Sequence, residues 1–153
     1  DKVFVGISDV VSPKAAAVPG LYALRLTDGA LLWSSPSPAN PTCRWKTRWC
    51  HGAVSQAVTA IPGVVFAGAY DGRFRAYDAA TGKVVWEVDT GTDPIPVVGG
   101  RTAYGGMFDG AGPTVAGGRV FVHSGYAGRS GEQGENLSGS DGNVLMAFTI
   151  DGR

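Results

Sequence analysis

The fold is decided by one stretch in the middle of the chain, Ala67-Gly-Ala-Tyr-Asp-Gly-Arg-Phe-Arg-Ala-Tyr-Asp-Ala-Ala-Thr-Gly-Lys-Val-Val-Trp86. A degraded copy precedes it, Gly20-Leu-Tyr-Ala-Leu-Arg-Leu-Thr-Asp-Gly-Ala-Leu-Leu-Trp33. Another follows it, Gly142-Asn-Val-Leu-Met-Ala-Phe-Thr-Ile-Asp-Gly152. Internal similarity of this kind indicates a repeat architecture, in which each copy forms one supersecondary unit.

The central copy predicts four β-strands joined by short turns. Apolar, β-branched residues in period-two alternation favour strands, and Asp-Gly and Thr-Gly pairs favour tight turns. In the third of these strands, Phe74 and Ala76 are predicted to face one side of the sheet and Tyr77 the other. The predicted strands are Gln56–Ala60, Val64–Gly68, Phe74–Asp78 and a last one that begins with Val84-Val-Trp86. A four-stranded unit of this kind is typical of a propeller blade.

The neighbouring copies set the predicted domain organisation. Gly112–Val122 aligns with Ala57–Ala67, whereas the first copy starts directly in a second strand within Asp1–Gly6. We therefore predict an all-β fold, a partial β-propeller of roughly three four-stranded antiparallel blades, where a complete ring has about four to eight. The predicted blades cover approximately residues 1–34, 52–90 and 110–153, with a cysteine-containing loop at 35–51.

Composition agrees with many short strands and excludes several classes of protein. The 153 residues include 24 glycines and 9 prolines, and no segment shows sustained helical periodicity. Thirteen basic and 13 acidic residues balance to zero charge, so nothing favours a nucleic-acid partner. No apolar run approaches the ~20 residues of a transmembrane helix. An insertion at Gly125–Asn143 lengthens one turn, and its segment Gly128–Gly142 is interpreted as a solvated loop.

Both cysteines lie in one loop, Cys43-Arg-Trp-Lys-Thr-Arg-Trp-Cys50. A disulfide between them would close a short loop, worth roughly 2–3 kcal/mol on the chain-entropy estimate, and would indicate an oxidising compartment. The alternative is two unrelated buried thiols. Cys50-His51 does not form a haem attachment motif, which needs C-x-x-C-H. One histidine and two cysteines also fall short of the four ligands of a zinc site.

Three blocks of the sequence resemble a known family. They are the Cys43–Cys50 loop running into Ser55–Ala67, the Asp71–Trp86 blade followed by Glu87-Val-Asp-Thr90, and Gly105–Gly118 followed by Val120–Tyr126 and Gly142–Phe148. These blocks resemble the quinoprotein alcohol dehydrogenases, and more closely their polyvinyl-alcohol dehydrogenase branch. The blade motif alone is shared with many non-enzymatic propellers, whereas the third block is much more specific.

The resemblance implies an eight-bladed propeller with pyrroloquinoline quinone in its funnel, of which this chain is a C-terminal fragment. It implies oxidation of secondary alcohol groups, in polyvinyl alcohol or other alcohols, with electron transfer to cytochrome c. It also implies a haem c domain upstream of this sequence, and calcium as an optional further cofactor. The chain departs from the family at His123, where asparagine is expected, and in the longer loop at Gly125–Asn143.

The chemistry of such an enzyme selects few candidate residues. Alcohol oxidation through an ortho-quinone needs a carboxylate that takes the hydroxyl proton, and a cation that polarises the quinone oxygens. Asp109, which stands just before a predicted innermost strand, is the catalytic candidate, and an ordinary turn aspartate is the alternative. Arg101, predicted in a loop on the same approach, is a cofactor-binding candidate because guanidinium groups bind carboxylates. A solvated surface arginine is its alternative.

A flat cofactor also needs an aromatic platform. Trp45 and Trp49 alternate with basic residues in the cysteine loop and are the candidates, although side chains that merely anchor the loop would give the same pattern. Trp33 and Trp86 recur at the same place in each copy and are assigned to packing between blades. The spacing of Glu132, Glu135 and Asp141 matches no calcium loop, so no metal ligands are assigned.

Two function classes remain open at this point. The first is a periplasmic or secreted bacterial quinoprotein dehydrogenase, acting on an alcohol or a polymeric alcohol without a membrane span. The second is a non-catalytic propeller scaffold for protein–protein interaction, such as an outer-membrane assembly lipoprotein. The cysteine loop and the Asp109-Gly-Ala-Gly-Pro113 block favour the enzyme. The isolated chain is expected to be inactive, because all blades together build the funnel.

Overall fold

The structure is a computed structural model that describes residues 1–9, 18–45, 49–125, 142 and 144–150. The predicted solvated loop at Gly128–Gly142, apart from residue 142, and the acidic residues Glu132, Glu135 and Asp141 lie outside the described part. Every regular element in the described part is a β-strand. The strands are β1 (Lys2–Ile7), β2 (Gly20–Arg25), β3 (Leu31–Pro36), β4 (Thr59–Ile61), β5 (Val64–Gly68), β6 (Arg73–Asp78), β7 (Val84–Asp89), β8 (Ile95–Val97), β9 (Arg101–Ala103), β10 (Thr114–Ala116), β11 (Arg119–Ser124) and β12 (Val144–Phe148).

The strands form antiparallel sheets in which sequential strands are neighbours. Sheet I is β1-β2-β3, sheet II is β4-β5-β6-β7 and sheet III is β10-β11-β12, while β8 and β9 form a separate hairpin. The four-stranded meander of sheet II confirms the blade predicted from the central repeat. Where each predicted blade ends along the chain stays a prediction.

Sheets II and III repeat one another residue by residue. In sheet II, Thr59 of β4 pairs with Phe66 of β5; in sheet III, Thr114 of β10 pairs with Phe121 of β11. The same agreement holds for the tryptophans of sheets I and II: Trp33 pairs with Ala23 and Trp86 pairs with Ala76, each beside an irregularity in the ladder. The internal similarity of the sequence therefore reflects the same strand register.

Sheet II lies between the other two sheets, and its alternate residues face opposite cores. One core joins Val65, Ala67 and Tyr77 of sheet II to buried residues of sheet I, namely Leu21, Ala23 and Trp33. The other core joins Phe66, Phe74 and Ala76 to buried residues of sheet III, namely Val122, Val144 and Met146. The predicted alternation along β6 is confirmed. Sheets stacked face to face in chain order are consecutive blades of a partial β-propeller.

Two details of the predicted strands are wrong. The strand expected at Gln56–Ala60 is found at Thr59–Ile61. The backbone before it turns away from the sheet, because Ala57 N–H donates to Gly110 O at 3.0 Å. The β8–β9 hairpin was not predicted, because Pro96 within β8 argues against a strand.

Several loops that join the strands meet at one end of sheet II. Because neighbouring strands are antiparallel, the start of β4 and β6 and the end of β5 and β7 lie at the same edge of sheet II. We call this the loop edge; its segments are 50–58, 69–72, 90–94 and 104–113. Backbone hydrogen bonds join these segments, among them Tyr70 N to Ala53 O (2.9 Å) and Phe108 N to Ala69 O (3.2 Å). In the described part of the chain, no helix has the length and hydrophobicity to span a membrane.

Candidate functional site

A disulfide between Cys43 and Cys50 closes the cysteine loop and confirms the predicted pairing. The Cα atoms are 5.8 Å apart, which is a normal separation for such a bond. The alternative of two unrelated thiols is wrong. Cys43 packs in a small buried cluster with Trp45, Tyr70 and Met107. The disulfide therefore fixes a loop that is part of the core under the loop edge.

Trp45 is a core residue of this cluster. Its side chain is 2 % exposed, and its ring lies over two glycines: a Cβ atom added at Gly72 or Gly91 would come within 2.9 or 3.0 Å of its Cη2. A ring enclosed in this way has no free face to offer a ligand. The proposed aromatic contact with a cofactor therefore depends on Trp49, which is partly exposed.

Trp49 belongs to a group of three aromatic rings at the loop edge. The ring centroids of Trp49 and Tyr70 are 6.4 Å apart, and those of His51 and Tyr70 are 5.3 Å apart. His51 Nδ1 accepts a hydrogen bond from Ala53 N at 3.2 Å, so its imidazole is neutral with Nε2 protonated. Burial lowers the pKa of His51, and the charge of Asp71 opposes this shift. These contacts give His51 a place in the packing of the loop edge.

Asp109 is held at the loop edge by two hydroxyl groups. Ser55 Oγ donates to Asp109 Oδ1 at 2.8 Å, and Tyr70 Oη donates to Asp109 Oδ2 at 3.0 Å. Asp109 Oδ1 also accepts from Gly110 N at 2.8 Å. Asp109 is partly exposed, whereas Tyr70 is buried. We call Ser55, Tyr70 and Asp109 the hydroxyl–carboxylate cluster.

The segment that carries Asp109 is fixed on both sides. Phe108 is fully buried in the core between sheets II and III. Upstream of Asp109, the backbone of Gly106 is bound by Ser124: Ser124 Oγ accepts from Gly106 N and donates to Gly106 O, both at 3.0 Å. Ser124 in turn lies 2.7 Å from Thr90 Oγ1. These buried contacts hold the loop against the ends of β7 and β11, so the position of Asp109 is set by the core beneath it.

Ser55 and Tyr70 were missed by the sequence reasoning. Ser55 is 54 residues from Asp109 and Tyr70 is 39 residues from it. No local spacing rule connects them, because the contact arises where loops of two sheets meet. The one signal in the sequence was the position of Tyr70 directly before the Asp71-Gly72 turn, which places it at the same edge as Asp109.

Arg101 was predicted in a loop and instead begins strand β9. Its side chain is exposed. Within the described part of the chain, no hydrogen bond or ion pair joins Arg101 to Asp109. The structure therefore does not bring the arginine and carboxylate candidates into contact.

A buried ion pair lies beneath the loop edge. Arg75 Nη2 is 2.7 Å from Asp71 Oδ2, and both side chains are almost completely buried. Arg75 Nε is 2.6 Å from the more exposed Glu87. Burial by itself lowers the pKa of Arg75, but the charge and hydrogen bond of Asp71, together with Tyr77 and Glu87, outweigh it and the net shift is upward. This pair stabilises the turn between β5 and β6 and so supports Tyr70.

In the described residues, no three His, Cys, Asp or Glu side chains are arranged to hold a metal ion. The site at the loop edge consists of a carboxylate with two hydroxyl donors and a partly exposed aromatic ring; Arg101 lies on the separate β8–β9 hairpin. Chemically, the carboxylate can accept a proton or a hydrogen bond from a bound hydroxyl group.

Comparisons with known proteins give one family model and several similar dehydrogenases. The family model PQQ_2, described as Outer membrane protein assembly factor BamB, matches residues 20–148. A polyvinylalcohol dehydrogenase of Sphingopyxis sp. (strain 113P3) is 54% identical over 154 residues, which is 99% of this chain and 24% of that protein. A polyvinylalcohol dehydrogenase of Pseudomonas sp. is 57% identical over 153 residues, or 100% of this chain and 24% of that protein.

One solved structure is also similar to this chain. The quinohemoprotein alcohol dehydrogenase ADHIIG of Pseudomonas putida HK5 is 32% identical, with a TM-score of 0.49, and the match covers 71% of this chain and 14% of that one. The chain thus spans about a quarter of the length of the two polyvinylalcohol dehydrogenases.

Proposed function

The chain belongs to the PQQ_2 family, and its similarity to two polyvinylalcohol dehydrogenases makes it a quinoprotein alcohol dehydrogenase-like β-propeller segment. From this premise we propose that the whole protein is a pyrroloquinoline quinone-dependent alcohol dehydrogenase. Its proposed substrates are secondary alcohol groups, those of polyvinyl alcohol among them. The observation that carries the proposal is the 54–57% identity to two polyvinylalcohol dehydrogenases over nearly the whole of this chain.

The groups at the loop edge fit a contribution to a quinone site. The ring of Trp49 is partly open and suits a flat tricyclic molecule, and the exposed guanidinium of Arg101 suits one of its carboxylates. Trp45 would support the loop from beneath. When bound, the quinone supplies the two-electron acceptor that no amino-acid side chain provides. Calcium and a haem c remain part of the proposal for the whole protein, and no residue of this chain is assigned to either.

The proposed role of Asp109 is that of general base. Its carboxylate accepts the proton of the substrate hydroxyl as the carbon–hydrogen bond is oxidised. Each carboxylate oxygen has two lone pairs. Oδ1 accepts from Ser55 and from Gly110 N and Oδ2 accepts, among the described residues, from Tyr70 alone, so Oδ2 is able to accept another donor. Partial exposure at the loop edge gives a substrate hydroxyl access to it.

We further propose that electrons leave to cytochrome c and that the protein works in the periplasm or outside the cell. The disulfide between Cys43 and Cys50 supports an oxidising compartment. The resemblance to the polyvinyl-alcohol dehydrogenase branch supports the acceptor.

A non-catalytic scaffold is the second candidate, because the matching family model is described as an outer-membrane assembly factor. The sequence upstream of this chain distinguishes the two candidates. A C-x-x-C-H haem motif favours the dehydrogenase, and a short lipoprotein leader favours the scaffold.

The direct test loads the full-length protein with pyrroloquinoline quinone and measures dye reduction with secondary alcohols and with polyvinyl alcohol. We expect reduction that depends on the quinone, and its absence with every alcohol would remove the proposal. Asp109→Asn should lower kcat about 10²–10⁴-fold. Asp28→Asn is the matched control, since Asp28 lies in an exposed turn of sheet I. Equal activity of the two variants would contradict the role of Asp109.

A further inference from the structure

The hydroxyl–carboxylate cluster joins three separate segments of the loop edge. Ser55 follows the cysteine loop, Tyr70 lies in the turn between β5 and β6, and Asp109 lies in the connection to β10. Both carboxylate oxygens of Asp109 receive a hydroxyl donor, at 2.8 Å from Ser55 and at 3.0 Å from Tyr70. A carboxylate that accepts a hydrogen bond at each oxygen cannot rotate freely about its side-chain bonds, so the two donors fix its orientation.

Tyr70 is itself rigidly placed. Its backbone N–H donates to Ala53 O at 2.9 Å, and its side chain packs in the cluster that contains the disulfide. The ring contacts His51 on one side. The phenol is therefore positioned by the cysteine loop and transmits that position to Asp109 through a single hydrogen bond.

The phenol also remains a donor over the working pH range. Burial raises the pKa of Tyr70, the Ser55 hydroxyl opposes this, and the charge of Asp109 adds to it. A phenol whose pKa lies above its usual value keeps its proton near neutral pH. The Tyr70 hydroxyl therefore remains the donor in its hydrogen bond to the Asp109 carboxylate.

We propose that Tyr70 and Ser55 are positioning residues that orient the carboxylate of Asp109 toward the substrate hydroxyl. This inference rests on the proposed function, in which Asp109 is the base. Orientation of this kind is a large part of catalysis, since a misplacement of about 1 Å can cost on the order of 10²-fold in rate. The two residues act through Asp109, so they are expected to affect kcat and to leave the binding of quinone and substrate unchanged.

The test uses the full-length, quinone-loaded protein with Tyr70→Phe, Ser55→Ala and the double variant. We expect kcat to fall about 10- to 100-fold in each single variant, with KM and quinone affinity within about twofold of the wild-type values. Tyr22→Phe is the matched control, because the Tyr22 hydroxyl donates to Val18 O at the surface, far along the chain from the cluster. Thermal unfolding of each variant shows whether the fold is retained, and Ser55→Ala provides the test if Tyr70→Phe unfolds.

A double-mutant cycle separates positioning from other roles. In an Asp109→Asn background, Tyr70→Phe should have no further effect on kcat, because its effect passes through the carboxylate. Multiplicative losses would overturn the positioning role while leaving Asp109 as the base. Wild-type protein without quinone-dependent activity would instead remove the proposed function, and the inference with it.

A second readout does not depend on activity. In full-length protein with ring-labelled tyrosine, an NMR titration follows the pKa of Tyr70. Asp109→Asn should lower that pKa, because the carboxylate charge raises it in the wild type. An unchanged pKa would show that the contact between Tyr70 and Asp109 does not form, which would overturn the inference.

Discussion

Replacing Gly82 by alanine should destabilise the protein more than the same change at Gly29, although the two glycines occupy equivalent turns. Gly82 N donates to Asp78 O at 2.8 Å, and Gly29 N donates to Arg25 O at 2.9 Å. Both glycines have a left-handed φ, +74° and +72°. They differ in their surroundings. A Cβ atom at Gly82 would overlap the ring of Trp33, with Cδ2 at 2.7 Å, whereas at Gly29 nothing lies within 4 Å.

The difference between the two variants isolates the packing of one blade on the next. An alanine in the left-handed region costs roughly 1–2 kcal/mol, and this cost applies to both positions. Overpacking adds about 1–3 kcal/mol, and it applies to Gly82 alone because Trp33 is held by Phe4 at 5.8 Å and by its hydrogen bond to Ala79 O at 3.2 Å. Gly82→Ala should therefore lower the free energy of unfolding by about 2–5 kcal/mol, and Gly29→Ala by about 1–2 kcal/mol.

The assay is urea unfolding of the full-length protein, followed by tryptophan fluorescence and by circular dichroism. Combining Gly82→Ala with Trp33→Leu should recover part of the loss, because the smaller side chain leaves room for the methyl group. Equal destabilisation by Gly82→Ala and Gly29→Ala, or strict additivity with Trp33→Leu, would refute the packing of Trp33 on the turn of the next blade.

Three other changes test the interactions beneath the loop edge. Cys50→Ala removes the disulfide and should lower the free energy of unfolding by about 2–3 kcal/mol; reductant should destabilise the wild type alone, as measured by its Tm. Asp71→Asn leaves the buried guanidinium of Arg75 poorly paired and should cost about 3–5 kcal/mol in urea unfolding, whereas Glu87→Gln should cost clearly less, since Glu87 is about one third exposed. Burial holds the pKa of His51 below its ordinary value of 6.5, so the unfolded state takes up a proton first as the pH falls below about 6.5. As the pH falls further, stability should decrease until the pH passes the lowered pKa of His51 in the folded protein. His51→Asn should flatten the plot of Tm against pH, and an unchanged slope would contradict this.

The repeat was the part of the fold that sequence could predict well. The alignment of Gly112–Val122 with Ala57–Ala67 made β10 the counterpart of β4, and each of the two pairs with its next strand in the same register, because strand alternation and turn glycines act over a few residues. The limits of β4 were wrong because Ala57 forms its hydrogen bond with Gly110, a residue of another loop. Competition of this kind between a strand and a distant partner leaves no trace in the local pattern.

The candidate site was predicted less completely. The disulfide was recognised from its loop, and Asp109 precedes β10, the first strand of sheet III; its catalytic role stays a prediction. Packing makes the two tryptophans differ in burial. Trp45 is enclosed by Gly72 and Gly91, whereas Trp49, four residues later, is partly exposed. Trp45 stands between Arg44 and Lys46, and Trp49 follows Arg48, so both stand beside basic residues and this pattern does not separate them.

The amino-acid sequence by itself determined the repeated strand–turn–strand unit, the faces of each strand and the position of the tight turns, because φ, ψ and side-chain alternation are local properties. It also brought both cysteines into one loop short enough to close. The tertiary structure alone decided which side chains meet at the loop edge. Ser55, Tyr70 and Asp109 come together across 39 and 54 residues because two sheets pack on either side of a shared core, and that packing is a property of the whole assembly of blades.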